Sequence, residues 1–420
     1  MTYREALEYI HSREAFGSRP GLDRIKRLCE LLGNPQNNTG FVHIAGTNGK
    51  GSVCAMLSSI LRCAGLRVGL YTSPYISFFE ERIKINGEPI SKERLAEIIE
   101  KVKIFADKTG EEITEFEVIT AAAFVCFSEE KCDIAVLETG LGGRLDATNI
   151  INSPLLSVIT GIALDHTAVL GETVEKIAYE KGGIIKEGCP VVIAACPAGA
   201  KKVLKNISSN MNAPLTEADY RRITNKRFSP YGAGICVKPY GDIELSLAGI
   251  YQTDNAAVAI TAAEALKNAG IPVDKAHIIN GLKKTVWPAR FEVLSKSPFT
   301  VYDGAHNENG AMALAENIKE ILGGKVVLLT GVMADKNYRK IAEILSPFIK
   351  EAFTVTPDNH RALSARNLAD TFASFGIKAT ACESISDGVA KAGEKAKKEA
   401  LPLVICGTLY MYKQISDIMR

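Results

Sequence analysis

Apolar and polar positions near the start of the chain follow two patterns in turn. A continuous apolar run that includes Phe41, Val42 and Ile44 predicts a buried strand. A helical repeat of apolar residues follows between Val53 and Leu61, and a short glycine-rich turn separates the two. Strand, tight turn and helix in this order are typical of α/β proteins with a mostly parallel sheet.

The same patterns predict strands and helices through most of the chain. Before residue 286 the predicted helices are 3–16, 22–32, 91–109, 116–127 and 251–269. The predicted strands there are 67–71, 132–137, 155–162 and 190–195, with hairpin-like strands between 231 and 247. After residue 286, strands and helices alternate at 300–302, 311–321, 326–330, 338–348, 352–356, 365–375 and 403–406. This alternation favours a second, mostly parallel sheet with helices on both faces.

Composition narrows the class of protein. A chain of 420 residues is long for one domain, and 46% hydrophobic with 23% charged residues is ordinary for a soluble protein. The net charge of +2 gives no reason to expect a nucleic acid or an anionic membrane as partner, and no apolar run is long enough to span a bilayer. The charged, amphipathic N-terminus does not resemble a signal peptide. The ten cysteines include no CxxC pair, so we expect free thiols in a cytoplasmic protein.

The glycine-rich turn, GTNGKGS, predicts a phosphate-binding loop. Glycines let backbone amides close on phosphate oxygens, and the N-terminus of the following helix adds positive potential. The pattern departs from the common phosphate loop, because Ile44 stands where a glycine is usual and a glycine follows the lysine. An ordinary glycine-rich turn is the alternative. The residues expected to bind the nucleotide are Thr47, Asn48, Gly49, Lys50, Gly51 and Ser52.

Polar residues follow three of the predicted strands. Ser73 comes after strand 67–71, Glu138 ends strand 132–137, and His166 comes after strand 155–162. Ligands gather at the carboxyl ends of strands in open α/β sheets. A carboxylate just past a buried parallel strand, such as Glu138, is a candidate magnesium ligand. Ser73 and His166, taken alone, are as well explained as ordinary polar residues.

Several motifs together resemble the folylpolyglutamate synthase and dihydrofolate synthase family of the Mur ligase superfamily. The resemblance runs from about residue 22 to residue 410. It is carried by GTNGKGS, YTSP from Tyr71, ERIKING from Glu81, GLGGRLDATN from Gly140, DHT from Asp165 and DGAHN from Asp303. One departure is Tyr75, where the family has a histidine.

The resemblance implies a domain organisation. The segment WPARFE, from Trp287, is similar to a family motif that marks the passage between domains. We therefore expect an N-terminal P-loop-type ATPase domain with a mostly parallel sheet over residues 1–285. A smaller, Rossmann-like α/β domain is expected over residues 286–420.

The resemblance also implies roles for particular residues. Magnesium would be held through Ser73, Glu138, His166 and Lys181, the last carrying a carbamate. Asn255, Arg290 and Asp303 match residues that contact ATP. The pterin-contacting positions match Phe116, Glu117, Leu145, Asp146 and Ala147. Lys50, Lys181 and His166 are the residues expected to take part in catalysis.

The implied activity is the ATP-dependent addition of L-glutamate to dihydropteroate, to the γ-carboxylate of folates, or to both, through an acyl phosphate. Its partners would be small molecules, and the family suggests a monomer. One alternative is another Mur-type ligase acting on a UDP-sugar peptide, against which GLGGRLDATN argues. A second alternative is a nucleotide-dependent switch that hydrolyses ATP and makes no ligated product.

Overall fold

A computed structural model of the chain describes residues 1–17 and 19–419. The chain forms two compact units, the first made of Met1–Arg221 and Asn255–Lys284, the second of Arg222–Asp254 and Thr285–Arg420. The last segment of the second unit begins at Thr285, one residue before the domain boundary at residue 286 that the sequence predicts. Segment 222–254, which we expected within the N-terminal domain, belongs to the second unit.

An eight-stranded sheet forms the centre of the first unit. Its strands are β1 (Gly40–Ala45), β2 (Val68–Tyr71), β3 (Ile83–Ile85), β4 (Glu88–Pro89), β5 (Ile134–Glu138), β6 (Leu156–Ile159), β7 (Val191–Ile193) and β8 (Leu215–Glu217). The order across the sheet is β4-β3-β2-β5-β1-β6-β7-β8. Six neighbouring strands of this sheet are parallel to one another, namely β2, β5, β1, β6, β7 and β8. Strands β3 and β4 extend the edge at β2 with antiparallel pairing. The carboxyl ends of β2, β5, β1 and β6 therefore lie side by side.

Helices cover this sheet. They are α1 (Tyr3–Ser12), α2 (Asp23–Leu31), α3 (Lys50–Cys63), α4 (Lys92–Thr109), α5 (Glu115–Glu129), α6 (Thr167–Leu170), α7 (Val174–Gly182) and α8 (Ala198–Asn210). Helix α9 (Tyr251–Asn268) begins in the second unit and continues in the first, where α10 (Lys275–Lys284) follows. The predicted helix 3–16 ends at Ser12, and a 3₁₀ turn takes over at Arg13–Phe16.

The largest core of the first unit is built around α5. Residues Glu117 to Phe127 of this helix are all buried, which confirms the prediction from its apolar sequence. Phe41 of β1 packs edge-on against Phe124, with ring centroids 5.5 Å apart. This packing joins the N-terminal end of β1, opposite the glycine-rich loop, to the C-terminal half of α5.

The second unit contains two sheets. An antiparallel sheet is formed by β9 (Ile223–Ser229), β10 (Gly232–Val237) and β11 (Gly241–Leu245). The larger sheet has the order β12-β13-β17-β14-β15-β16, parallel except for β12. Its strands are β12 (Glu292–Lys296), β13 (Phe299–Asp303), β14 (Val326–Thr330), β15 (Ile349–Thr354), β16 (Ala379–Ala381) and β17 (Leu403–Cys406). The helices are α11 (Glu308–Ile321), α12 (Tyr338–Leu345), α13 (Ala365–Ser374), α14 (Ile385–Glu399) and α15 (Tyr412–Met419).

Two parallel-rich sheets with helices confirm the α/β fold class predicted from the sequence. Two hydrogen bonds show why segment 222–254 belongs to the second unit. The Ile250 amide donates to Asn317 Oδ1 at 2.8 Å, and the Tyr251 hydroxyl donates to Asp303 Oδ2 at 2.8 Å. All ten cysteines are unpaired thiols, and no helix in residues 1–17 and 19–419 combines the length and apolar character that a membrane span requires.

Candidate active site

The glycine-rich loop connects the end of β1 to the first residue of α3. Two of its glycines have backbone conformations and neighbours that exclude a side chain. Gly46 has φ 157°, and a Cβ there would lie 1.7 Å from Thr160 Oγ1. Gly49, the N-cap of α3, has φ 87°, and its Cβ would lie 2.5 Å from Asn255 Oδ1. The loop is therefore a backbone cradle at a helix N-terminus, and Asn255 lies against it.

The segment that follows β6 holds this loop in place. The Thr47 amide donates to the Gly161 carbonyl at 2.7 Å, and the Thr47 hydroxyl lies 3.1 Å from both the carbonyl and the amide of Ala163. The Thr160 hydroxyl donates to the Asn48 carbonyl at 2.8 Å. These bonds use the amide and hydroxyl of Thr47 and the carbonyl of Asn48, and they fix the shape of the loop before any ligand binds.

Lys50, Glu138 and Ser73 come together at the carboxyl ends of β1, β5 and β2. Lys50 Nζ lies 3.4 Å from the Thr47 carbonyl and 3.9 Å from Glu138 Oε1. Glu138 is only 5% exposed, and its Oε2 accepts from the Ser73 amide at 3.3 Å. A carboxylate and a serine hydroxyl are oxygen donors of the kind that Mg²⁺ prefers, so these residues fit a magnesium site.

Lys181, in α7, is buried beneath the same loop. Its Nζ donates to the Gly46 carbonyl at 2.7 Å. The pKa of Lys181 is lowered to about 7, mainly by burial and also by the positive charge of Lys50, while the charges of Asp165 and Asp146 oppose the shift. A substantial fraction of this amine is therefore neutral near pH 7, unlike that of an ordinary surface lysine.

His166 lies on the segment that holds the phosphate loop, seven residues after the end of β6 and three residues after Ala163. It has φ 49° and precedes α6, and its side chain is 46% exposed. Its Nε2 lies 3.9 Å from Asp165 Oδ1. Asp165 was missed by the sequence analysis as a site residue, although it is the residue of this pair whose charge acts on Lys181.

The two pterin-contacting residues expected on α5 have different surroundings. Glu117 Oε2 accepts from the Thr114 amide at 2.8 Å and from the Thr114 hydroxyl at 2.9 Å, which is a capping box at the start of α5. Arg24 also lies 3.1 Å from Glu117 Oε1. The Phe116 ring instead packs over Gly140, where a Cβ would lie 2.5 Å from it. Phe116 is therefore the half-buried aromatic ring of this pair, and Glu117 stabilises the helix terminus.

Asp146 organises the loop from residue 140 to residue 150. It is 6% exposed, and its Oδ1 accepts from the Thr148 amide at 3.0 Å and the Thr148 hydroxyl at 2.5 Å. Its Oδ2 accepts from the Leu141 amide at 2.8 Å. Burial raises the pKa of Asp146, and the hydrogen bonds from Thr148 oppose that rise. These three bonds, together with the backbone N–H of Gly140, which also lowers the pKa of Asp146, occupy most of the roughly four acceptor positions of a carboxylate. Leu145 is half-buried and Ala147 is buried beside it.

Arg290 and Asp303 lie together in the second unit. Asp303 is buried, and its oxygens accept from the Tyr251 hydroxyl, the Phe291 amide at 3.0 Å and the Ala305 amide at 2.9 Å. Burial raises the pKa of Asp303, and the nearby Arg290 charge lowers it. Asp303 therefore holds the turn that carries Arg290.

Thr160, Ala163 and Thr148 were also missed by the sequence analysis. Thr160 directly follows a buried parallel strand, which is the position that identified Glu138. Thr148 lies inside the quoted GLGGRLDATN motif. For Ala163 the sequence offers no signal, because only its backbone groups contact the loop.

Two family models match the chain. The model described as the Mur ligase middle domain matches residues 44–263, and the model described as the Mur ligase glutamate ligase domain matches residues 289–407. Together they cover both units.

Named relatives match over nearly the full length. The dihydrofolate synthase/folylpolyglutamate synthase of Bacillus subtilis is 38% identical over 100% of this chain and 98% of its own length. Mycobacterium tuberculosis folylpolyglutamate synthase complexed with ADP and AMPPCP has a TM-score of 0.92 at 29% identity, covering 99% of each chain. E. coli FolC in complex with DHPP and ADP has a TM-score of 0.86 at 27% identity, covering 100% of this chain and 98% of that one.

Proposed function

The chain belongs to the folylpolyglutamate and dihydrofolate synthase family and is an ATP-dependent ligase, and we propose that it joins L-glutamate to dihydropteroate and to the γ-carboxylate of reduced folates. The relatives named for both activities support this choice of substrates. The same relatives argue against the alternative of a ligase for UDP-sugar peptides.

The proposed reaction has two steps. A carboxylate oxygen of the folate substrate attacks the γ-phosphorus of ATP, the bond to the bridging oxygen breaks, and ADP leaves. The neutral amine of glutamate then attacks the acyl carbon, loses a proton, and phosphate departs with the original carboxylate oxygen. Neither step requires a covalent intermediate with the protein.

Lys50 and the loop amides supply the charge stabilisation for the first step. While it is transferred, the phosphoryl group carries negative charge on its oxygens. Hydrogen-bond donors that are already in position stabilise this charge without reorganisation. The loop fits this role because Gly46 and Gly49 let Thr160 and Asn255 pack closely against its backbone, and the contacts of Thr47 and Asn48 hold its shape. Gly51 and Ser52 extend the same cradle into the first turn of α3.

Ser73 and Glu138 would hold magnesium, with His166 and a carbamate on Lys181 as further ligands. When bound, the metal neutralises charge on the phosphate oxygens. The fit is good for oxygen ligands; His166 rests on the family resemblance alone, because Mg²⁺ prefers oxygen. Carbamylation is supported by the depressed pKa of Lys181, because only a neutral amine attacks CO2. The modification would also replace a buried cation with an anion.

Phe116, Leu145, Asp146 and Ala147 form the proposed pterin site. An aromatic ring offers a face for the flat pteridine, and the remaining acceptor position of Asp146 can take one pterin N–H. Glu117 supports this site through the cap of α5. A donor left unpaired on burial would cost about 1–3 kcal/mol, which is why the pterin edge needs such a partner.

Asn255, Arg290 and Asp303 complete the proposed residues for ATP. Asn255 contacts the phosphate loop directly, while Arg290 is supported by the family motif and Asp303 by its hold on the Arg290 turn. We also propose a cytoplasmic monomer, since unpaired cysteines suit a reducing compartment.

One observation carries the proposal. The Arg144 amide, in the loop of the proposed pterin site, donates to the Glu180 carbonyl at 2.7 Å, and the next residue, Lys181, donates to the carbonyl of the phosphate-loop residue Gly46 at 2.7 Å. The acceptor site and the phosphate site therefore belong to one edge of the sheet in the first unit. This is the arrangement that phosphoryl transfer to a folate carboxylate requires.

A substrate panel with ADP release as readout tests this function. The panel offers ATP, magnesium and glutamate with dihydropteroate, with tetrahydrofolate, or with a UDP-sugar peptide. We expect ADP only when glutamate and one of the two pterin substrates are present together. ADP release without any acceptor would indicate a hydrolytic switch, and release with the UDP-sugar peptide alone would reject the folate assignment. Activity with tetrahydrofolate but not dihydropteroate would reduce the function to chain extension.

A further inference from the structure

Three buried side chains form a continuous hydrogen-bonded chain behind the proposed pterin site. His43, in β1, has no exposed surface, and its Nε2 lies 2.8 Å from Thr148 Oγ1. Thr148 Oγ1 in turn lies 2.5 Å from Asp146 Oδ1. His43 has no part in the phosphate or magnesium chemistry described above, so a buried imidazole at this position needs another explanation.

The direction of the hydrogen bonds follows from the number of protons available. A threonine hydroxyl has one proton, and Thr148 donates it to the Asp146 carboxylate. Thr148 Oγ1 must therefore accept from His43, which places the imidazole proton on Nε2. Consistent with this tautomer, Nδ1 of His43 is buried and finds no donor within residues 1–17 and 19–419.

The surroundings of His43 keep the imidazole neutral. Burial lowers its pKa to about 3, and the positive charge of Lys186 contributes to the same shift. Lys186 Nζ itself donates to the Asn149 carbonyl at 3.3 Å. The single N–H of His43 therefore stays on Nε2 at any pH where the protein works.

We propose that His43 is a positioning residue of the pterin site: through Thr148 it fixes the rotamer and the hydrogen bonding of the Asp146 carboxylate that receives the pterin N–H. This inference rests on the proposed function. Linked hydrogen bonds polarise one another, so the bond from His43 makes Thr148 a stronger donor to Asp146. The Thr148 amide and hydroxyl both donate to Oδ1, so the pterin N–H is assigned to Oδ2, which also accepts from the Leu141 amide.

Four variants separate positioning from simple packing. His43→Leu removes the donor and keeps an apolar side chain in the core, whereas His43→Gln retains an N–H near the place of Nε2. Thr148→Val removes the hydroxyl without changing the shape, and Thr148→Ser restores it. The measurements are kcat and KM for dihydropteroate and for ATP, and calorimetric binding of dihydropteroate to the ADP-bound protein.

We expect His43→Leu and Thr148→Val each to raise the KM for dihydropteroate about three- to tenfold, the loss that follows from one internal hydrogen bond. The KM for ATP and kcat should stay within about twofold of wild type, and His43→Gln and Thr148→Ser should recover most of the loss. A merely structural role would change both KM values together or give no rescue, and either result would overturn the proposal.

Two further outcomes distinguish this inference from the function on which it rests. If wild-type protein does not bind dihydropteroate, the proposed substrate and this inference both fall. If wild type binds it and His43→Leu binds it equally well, only the inference falls. The ¹⁵N shifts of the His43 imidazole provide a readout independent of substrate: an Nε2–H tautomer unchanged from pH 5.5 to 8 supports the chain, and an Nδ1–H tautomer contradicts it.

Discussion

Lys50 is a side chain whose role could be predicted from the sequence pattern around it. Its place in a strand, glycine turn and helix was enough to predict it as the phosphate lysine. The structure adds that its ammonium lies 3.9 Å from Glu138 and 3.4 Å from a loop carbonyl. A cation with a carboxylate at this distance is held near the phosphate position before ATP arrives.

Lys50→Ala should lower kcat by about 100-fold or more, because it removes a fixed charge aimed at the transferring phosphoryl group. Far-UV circular dichroism should be unchanged, since Lys50 lies in the first turn of α3 and is not part of a core. Lys283→Ala, an exposed lysine at the end of α10 in the same unit, is the matched control. If Lys50→Ala had a near-normal kcat and a normal KM for ATP, the assignment of this turn as a phosphate-binding loop would be wrong.

Lys181 is a residue whose environment the sequence could not reveal. A lysine in a helix is usually solvated, but this one is buried against the Gly46 carbonyl. The carbonyl to which its amine donates belongs to Gly46, 135 residues away in the sequence. Only the family resemblance pointed to it, and the depressed pKa now gives a physical reason for its proposed modification.

At a fixed concentration of dissolved CO2, activation of CO2-depleted protein should become faster as the pH rises from 6 to 8. The amine has a pKa of about 7, so it is mostly protonated at the lower pH and mostly neutral at the higher one. An ordinary lysine with a pKa of about 10.4 would offer about a thousandfold less neutral amine at pH 7. The measurement is recovery of ligase activity, with Lys181 modification followed by ¹³C NMR in labelled bicarbonate.

Lys181→Ala should be nearly inactive, and short carboxylic acids should partly restore activity by supplying the missing anion. Lys176→Ala, an exposed lysine on the same helix α7, should behave like wild type. A free amine at Lys181 in fully active protein would contradict the proposed carbamate.

At the scale of elements, a sequence motif was interpreted well when it had one structural meaning and less well when the same residues could also bind a ligand. The sequence from Thr114 to Glu117 contains the Thr-x-x-Glu signature of a capping box just before an apolar run. The family resemblance instead assigned Glu117 to the pterin. The structure shows its carboxylate bonded to Thr114, so the local signal was the better guide to this side chain.

Helix α14 offers a direct stability test of helix termination. Its C-cap, Ala400, is exposed and left-handed, with φ 50° and ψ 39°, a conformation that glycine adopts without strain. Ala400→Gly should stabilise the second unit by about 0.5–1 kcal/mol. The substitution removes the strain of the left-handed conformation, and part of this gain is lost because glycine has a larger conformational entropy in the unfolded chain. Trp287 is the only tryptophan of the chain and lies in the second unit, so its fluorescence follows urea unfolding there.

Ala390→Gly is the control within the same helix. Ala390 is exposed in the interior of α14, where glycine costs about 1 kcal/mol relative to alanine. The two substitutions are chemically identical, so they should shift the unfolding midpoint in opposite directions. Equal destabilisation by both would show that the left-handed C-cap carries no strain.

At the scale of the whole chain, hydrophobic periodicity predicted the α/β class and most strands of both sheets, because buried parallel strands are nearly continuous apolar runs. It did not place segment 222–254: β10 and β11 were predicted as hairpin-like strands within the N-terminal domain, and β9 was not predicted. That segment belongs to the second unit through partners such as Asn317 and Asp303, which lie 52 or more residues away in the sequence. Periodicity describes one element at a time and carries no information about such partners.

The central claim is that a folate carboxylate is activated as an acyl phosphate. Dihydropteroate labelled with ¹⁸O in its carboxylate tests this directly, because the oxygen that attacks ATP must leave with phosphate. The reaction with ATP, magnesium and glutamate should yield inorganic phosphate carrying one ¹⁸O, together with the glutamyl product, as read by mass spectrometry. If labelled dihydropteroate gave unlabelled phosphate, the new oxygen of phosphate would have come from solvent water. That result would contradict the account.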